Sequence, residues 1–521
     1  MRLPASVVLS LVLAVSVVAQ DSRPASAPAT LPRTVVILHT NDLHGTIRAV
    51  EDTRSKAGLP KLVGGVQELC AAIDDERARH PHTLLLDAGD WYQGTPEGTL
   101  SKGRCSVELM NAVGFDGAVL GNHDFDDGPI NLDHLLGVAK FAVFGANLGV
   151  LPGQPKPPYL ERVAPGKLFN VGPLKVFVDG LLTEESNRIN SPASMGGAKV
   201  FSEVDGATLA VDRAKKAGAD AVVLVNHIGK DRHLVIGREV RGIDVLIGGH
   251  NHRDVMDEGL VIPSTGTLIA QAAANAQALG IVTLTLDEAS PKIVARKARL
   301  RRIAGNPEVA VPRLKPIIDF HETSVAERMN QRLAEAPTAI ARDYDLRRPN
   351  PIGNLLTEQM LATSEADVAV HNLGGIRADI PAGTVTVRSL FMVSPFGNSL
   401  VTVKLAGKHI RTLLEKHLAN PSRGFAIRGL TVRWAERGGR KVIDAVLFDG
   451  TPLDDDRELT IVTTDYIAGA ADGASPFLHA RARRDLGVTL LDMSIARTQE
   501  AGTLRADADN PWVEVVEGGS K

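Results

Sequence analysis

The sequence predicts an α/β fold built on a largely parallel sheet that is covered on both faces. Short, continuously apolar runs recur at Val35-Val36-Ile37-Leu38, Thr83-Leu84-Leu85-Leu86, Asp220-Ala221-Val222-Val223-Leu224-Val225 and Ile243-Asp244-Val245-Leu246-Ile247, and such runs mark strands buried on both sides. Stretches with helical spacing lie between them, as at Leu62 to Arg79. Polar clusters follow the runs directly: Asp42-Leu43-His44, Gly89-Asp90, Asn226-His227 and Gly248-Gly249-His250-Asn251-His252. A fifth, Gly121-Asn122-His123-Asp124, follows the weaker run Gly117-Ala118-Val119-Leu120. Side chains at the carboxyl ends of buried strands converge on one crevice, where open α/β sheets place ligands.

Along the chain, residues 1–19 read as an export signal: Arg2 is basic, Val7 to Val18 is mostly apolar, and Val17-Val18-Ala19 supplies small residues before a cut after Ala19. The apolar run is shorter than the ~20 residues of a spanning helix, and the polar ending Glu517-Gly518-Gly519-Ser520-Lys521 lacks the tail of a glycolipid anchor signal. The expectation is an exported protein, periplasmic or extracellular, with no stable membrane anchor. Residues 20–33, with Pro, Ala and Ser concentrated in Ser22 to Pro32, read as a flexible lead-in. Residues 34–310 form the first domain, which the strand-like runs Ile281 to Leu286 and Lys292 to Leu300 complete. Helical apolar spacing over Val311 to Ala334 predicts a linker helix at 311–336. Residues 337–521 then form a smaller domain that mixes helices (Gly353 to Thr363, Lys408 to Leu418) with strands (Ser399 to Leu405).

With 521 residues and 44% hydrophobic composition, the chain can bury several cores. Its 58 basic and 61 acidic side chains give a net charge of -3, which provides no global field for a nucleic acid polymer or an acidic membrane. A phosphate group must be captured locally. Cys70 and Cys105 both fall in helical stretches; export permits a disulfide, but small buried thiols are as common, and the sequence leaves the pairing open.

The clusters carry the ligands of two adjacent metal ions. Asp42, His44, Asp90 and His252 suit one, and Asp90, Asn122, His227 and His250 the other. Asp90 bridges through its two oxygens, which holds two cations about 3.5 to 4 Å apart. Zinc, manganese and iron all accept this mixture of imidazole and oxygen donors. Two cations lower the pKa of a coordinated water and set it up for in-line attack on phosphorus. His123 neighbours the ligand Asn122 and points toward substrate. Asp126, three residues on, can hydrogen-bond its ring and keep it protonated, so that it stabilises charge on the phosphoryl or leaving oxygen. One such cluster arises easily by chance, but five in order after strands do not. His80, His82, His134, His233, His321, His409, His417 and His479 fit structural or solvated roles. His39 and His371 adjoin functional loops and stay open.

Ile37-Leu38-His39-Thr40-Asn41-Asp42-Leu43-His44-Gly45, Asp87-Ala88-Gly89-Asp90 with Tyr92-Gln93-Gly94-Thr95, Gly121-Asn122-His123-Asp124-Phe125-Asp126 and Gly249-His250-Asn251-His252 resemble the 5'-nucleotidase family of metallophosphoesterases, which includes periplasmic UDP-sugar hydrolases and secreted apyrases. The resemblance implies a four-layer α/β/β/α sandwich joined by a helix to a smaller α/β domain that grips a nucleotide substrate, with rotation between the two. It places Asn372, Gly374, Gly375 and Arg377 of Asn372-Leu373-Gly374-Gly375-Ile376-Arg377 in a substrate-binding loop whose arginine holds phosphate or carboxylate-like oxygens. Arg348, or the adjacent Arg347, takes the place of a second phosphate-binding arginine. Phe396 and Tyr466 match the pair that sandwiches the base, and Asp472 matches an acidic nucleoside contact. Leu373 stands where glycine is common, and Ala470-Ala471-Asp472-Gly473 replaces the usual Gly-Gly-Asp-Gly, where the extra Cβ atoms restrict positive φ.

The activity implied is hydrolysis of nucleoside 5'-monophosphates, with nucleoside diphosphates or UDP-sugars as further substrates. A 2',3'-cyclic nucleotide phosphodiesterase with 3'-nucleotidase activity and a thiosulfohydrolase are alternatives of the same superfamily. A nucleoside-binding protein on this scaffold is the non-enzymatic alternative; it predicts lost ligands, yet every assigned position carries a competent side chain.

Overall fold

The computed structural model describes residues 34–51, 62–421, 424–471 and 474–515. The expected signal and lead-in, residues 1–33, and Asp472 lie outside them. β-Branched and aliphatic runs extend because they pack well on a pleated surface, and in the first domain they build two large sheets. One has seven strands in the order Ile293–Arg302, Ala278–Leu286, Thr34–Thr40, Thr83–Asp87, Gly117–Val119, Ala142–Phe144, Val163–Ala164. The other has six, ordered Leu260–Val261, Leu268–Gln271, Val245–Gly248, Ala221–His227, Leu174–Leu182, Lys167–Val171, and its inner strands pair in parallel.

Side chains alternate across each strand, so both sheets are apolar on two faces. Val35, Ile37, Leu84, Leu86 and Val119 of the first sheet pack on Val176, Val178, Val223, Val225 and Ile247 of the second. Val36, Leu38 and Leu85 face the other way, into a core shared with Leu69 and Ile73 of the helix Val66–Arg79 and Leu109 of Arg104–Val113. Phe177, Leu224 and Leu246 likewise meet Ala207 and Ala210 of Glu203–Lys216 and Ile236 of Lys230–Glu239. The result is an α/β/β/α sandwich in which each fully buried aliphatic side chain contributes about 1.5 to 3 kcal/mol. Local chemistry agrees with the packing. At Glu203–Lys216 the Ser202 hydroxyl accepts the Asp205 N–H, acids occupy the first turn and Arg213, Lys215 and Lys216 the last, as capping and the helix dipole favour.

The second domain is built on a five-stranded sheet, Phe425–Arg428, Val368–Asn372, Glu458–Thr464, Ser399–Ala406, Arg481–Thr489, beside a four-stranded one. The linking helix spans Lys315–Met329 and is shorter than the expected 311–336. Arg332–Ala336 is instead a strand paired antiparallel with Gly383–Thr386, with Leu333, Ala334 and Ala336 buried beside Ile340 and Val385. Tertiary pairing overrides the local helical spacing. This helix docks on the first domain, where His321 Nε2 lies 3.0 Å from Glu108 Oε2. Arg388 of Val387–Val393 reaches Glu97 of Pro96–Leu100, and Gln93 Nε2 donates to Pro395 O at 3.2 Å. Cys70 and Cys105 are buried free thiols. Among the described residues no helix is long and apolar enough to cross a membrane.

Candidate metal centre

The loops that carry the candidate ligands leave strands of both sheets at their carboxyl ends, and four of those candidates adopt left-handed backbone: Asp42 (φ +51°), His44 (+48°), Asp90 (+59°) and His250 (+77°). Each such residue costs on the order of 1 to 3 kcal/mol and persists only where its surroundings over-determine it. The Asp42 N–H donates to Gly89 O at 2.9 Å, and the His44 N–H to Asp90 O at 3.0 Å. The two middle loops approach closely. A Cβ at Gly89 would lie 2.6 Å from the Gly121 nitrogen, and one at Gly121 would overlap the Asp90 carboxylate. Asp124 binds these loops together, accepting from Gly121 N–H (2.7 Å), Trp91 N–H (2.9 Å) and Asp90 N–H (3.1 Å). Burial, reinforced by the charge of Asp90, pushes its carboxyl up to about 7.

The donors converge as two groups that have Asp42 in common. Ligand atoms of Asp42, His44 and His252 lie within 4.8 Å of one another, as do those of Asp42, Asp90 and His227. His44 Nε2 is 3.0 Å from His252 Nε2, which is 3.4 Å from Asp42 Oδ1. Asn122 Oδ1 lies 3.2 Å from His227 Nε2 and 3.0 Å from His250 Nδ1. Ring orientations suit cation binding: Nδ1 of His44 lies 2.5 Å from the Gln93 carbonyl and Nδ1 of His227 lies 2.7 Å from that of Ala88. Donation to those carbonyls leaves each Nε2 lone pair to the cluster. These donors fit two divalent cations of the zinc, manganese or iron type.

Asp90 Oδ1 accepts the His123 N–H at 2.9 Å, and its Oδ2 lies 3.7 Å from His44 Nε2 and 3.3 Å from His227 Nε2. Burial opposes its ionisation, but His227 and His123 outweigh burial and hold the carboxyl well below the usual range. Burial likewise opposes protonation of His227, while Asp90 raises it to about 10. A cation binding at that ring displaces a proton.

The second domain supplies the opposite wall. Arg377 Nη2 is 3.1 Å from His44 Nε2, and its guanidinium lies 5.8 Å from the Phe396 ring centroid. The His123 and Phe396 ring centroids are 5.7 Å apart. His123 Nδ1 sits 2.9 Å from Asp126 Oδ2; burial disfavours the charged ring, but Asp126 and Asp90 prevail and raise its pKa. Asn372, Gly374, Gly375 and Tyr466 line the same crevice. Arg348 does not. It lies with Asp343 (3.3 Å) and Asp345 (3.5 Å), and Arg347 pairs with Glu514 at 2.7 Å, because neighbouring acids capture both guanidiniums. Arg342 lines the crevice instead, its Nη1 donating to Arg377 O at 2.7 Å and its Nε to Asp379 Oδ1 at 2.8 Å. Beside it, Tyr344 receives the Arg253 guanidinium 4.1 Å from its centroid. Ala470 takes φ +64° despite its Cβ. His39 and His371 are buried, and burial lowers each ring to about 4.

Sequence reasoning passed over Arg342, Tyr344, Arg253, Glu185 and Asn190, because nothing local distinguishes them from ordinary surface residues. A family model for calcineurin-like phosphoesterases matches residues 35–254, and one for the 5'-nucleotidase C-terminal domain matches residues 329–479. A trifunctional nucleotide phosphoesterase, YfkN of Bacillus subtilis, is 26% identical over 87% of this chain, which spans only 33% of that relative. The Bos taurus 5'-nucleotidase is 28% identical, with 74% of this chain and 72% of the relative covered. The crystal structure of a 5'-nucleotidase precursor from Thermus thermophilus superposes with a TM-score of 0.83 at 28% identity, over 93% of this chain and 100% of that one. Matched in both halves and in order, the chain belongs to the 5'-nucleotidase family of metallophosphoesterases.

Proposed function

We propose that the protein is an exported 5'-nucleotidase that uses two divalent cations to hydrolyse the phosphate ester of nucleoside 5'-monophosphates, with nucleoside diphosphates or UDP-sugars as further substrates. The observation that carries this reading is the 3.1 Å approach of Arg377 to His44, which faces a phosphate-gripping guanidinium toward a two-cation donor set. Asp42, His44, Asp90 and His252 would hold one cation and Asp90, Asn122, His227 and His250 the other, and the pair when bound would supply Lewis acidity at phosphorus.

The chain's own groups do the rest. Arg377 grips phosphoryl oxygens with planar paired donors, and the loop of Asn372, Gly374 and Gly375 shapes the space beside it. His123, its Nδ1 held by Asp126, offers a proton at its other ring nitrogen to the leaving oxygen. Phe396 and Tyr466 stack the base. Export rests on Arg2, the apolar run Val7 to Val18 and the small residues before Gln20.

Phosphate release is to be measured against AMP, ADP, UDP-glucose and a 2',3'-cyclic nucleotide, after dialysis against chelator and return of single metals. The expected result is metal-dependent release from AMP. Release from the cyclic substrate alone would transfer the assignment to the phosphodiesterase alternative, and turnover of none would exclude nucleotide hydrolysis.

A further inference from the structure

The short segment that follows the strand Leu174–Leu182 touches every ligand of the second donor set except the shared Asp90. The Thr183 N–H donates to His227 O at 3.0 Å. Asn190 Nδ2 donates to Asn122 O at 2.8 Å. Glu185 Oε2 lies 3.3 Å from His250 Nε2, while its Oε1 accepts Arg188 Nη2 at 2.8 Å. Asn122 and His227 are buried, yet Glu185 stands at the crevice wall among its lining residues.

The direction of the His250 ring gives this segment a specific task. Its Nδ1 faces Asn122 Oδ1 at 3.0 Å, within the donor set, so Nε2 is the nitrogen left to carry a proton. An acceptor at Nε2 fixes that tautomer and turns the ring, which is how carboxylates behind metal-bound imidazoles act. We propose that Glu185 is a positioning residue for the second cation, orienting His250 through Nε2–H, with Asn190 holding the Asn122 loop in register and Arg188 steadying Glu185. The proposal rests on the two-cation reading above.

The test is cation binding by the full chain. Metal-free wild type, Glu185→Ala, Glu185→Gln and Asn190→Ala are titrated with zinc against a competing chromophoric chelator, and bound zinc is counted by mass spectrometry under native conditions. Glu185→Ala should weaken one of the two cations by about 10- to 100-fold and leave the other, and the unfolding midpoint of the metal-free protein, unchanged. Glu185→Gln keeps an acceptor oxygen and should recover most of the loss; Asn190→Ala should weaken the same cation. Equal affinities in Glu185→Ala and wild type overturn the proposal, as does a Gln variant no better than Ala. Wild type that binds a single cation instead sinks the two-cation reading, so the two failures are told apart. Should Glu185→Ala not fold, Glu185→Gln against Glu185→Met gives the same contrast.

Discussion

Arg388 and Glu97 join the two domains through a paired ion contact, Nη1 to Oε2 at 2.9 Å and Nη2 to Oε1 at 2.6 Å, with the Glu97 side chain 3% exposed. Removing one partner of a buried pair strands the other charge away from water and costs on the order of 3 to 5 kcal/mol. Arg388→Ala should therefore lower stability by about 3 kcal/mol, while the double change Arg388→Met with Glu97→Leu should recover most of it. Urea unfolding of the single and double variants checks this, and a loss under about 1 kcal/mol for Arg388→Ala contradicts it.

His123 carries the proposed proton transfer. His123→Ala should reduce kcat by about 10²- to 10⁴-fold with bound metal unchanged. Asp126→Asn should fall between that variant and wild type, because the ring remains but loses the anion that favours its charge. Steady-state kinetics with AMP, paired with elemental analysis, decides it; near-normal turnover by His123→Ala would remove this residue from the mechanism.

Phe396→Ala and Tyr466→Ala test the base clamp. Stacking on an aromatic ring is worth about 1 to 3 kcal/mol per base, so each change should raise KM for AMP by roughly tenfold. Hydrolysis of p-nitrophenyl phosphate with Phe396→Ala or Tyr466→Ala should change far less, because that ester has no nucleobase. Equal effects on the two substrates would mean that these rings shape the site without reading the base.

Acid stability depends on buried neutral histidines, and His417 is the clearest. Its Nδ1 accepts the Phe425 N–H at 2.6 Å, its ring stacks on Trp512 with centroids 4.3 Å apart, and burial lowers its pKa to about 3. A ring kept neutral by the fold contributes full stability above its unfolded pKa of about 6.5. That contribution is lost as pH falls from there toward 3, at about 1.4 kcal/mol per pH unit. His417→Gln should flatten the stability profile between about pH 6.5 and 4.5 by that slope, as read by urea unfolding at several pH values. An unchanged slope would show that the ring titrates normally.

The positions of Asp42, Asp90, Asn122, His227 and His250 were legible because a buried strand must end in a loop, and a site that gathers side chains from distant strands leaves its polar residues there. What the sequence withheld depended on contacts across space. Nothing near Asp90 in the chain announces that the His123 N–H takes one of its oxygens. Arg348 was read as the second arginine of the crevice, but Asp343 and Asp345 claim it. Helical spacing from Val311 onward ran past Met329 because the strand partner Gly383–Thr386 lies far downstream. Glu185 meets His250 only in three dimensions, 65 residues apart in the chain.

Asp42, His44, Asp90 and His250 hold φ values that glycine adopts freely. At these four Cα atoms the mutation that would most ease the main chain is the one that removes a donor atom. Random drift toward a sturdier protein thus runs directly against retention of the candidate cation ligands, and a laboratory search for thermal robustness alone should erode these positions first.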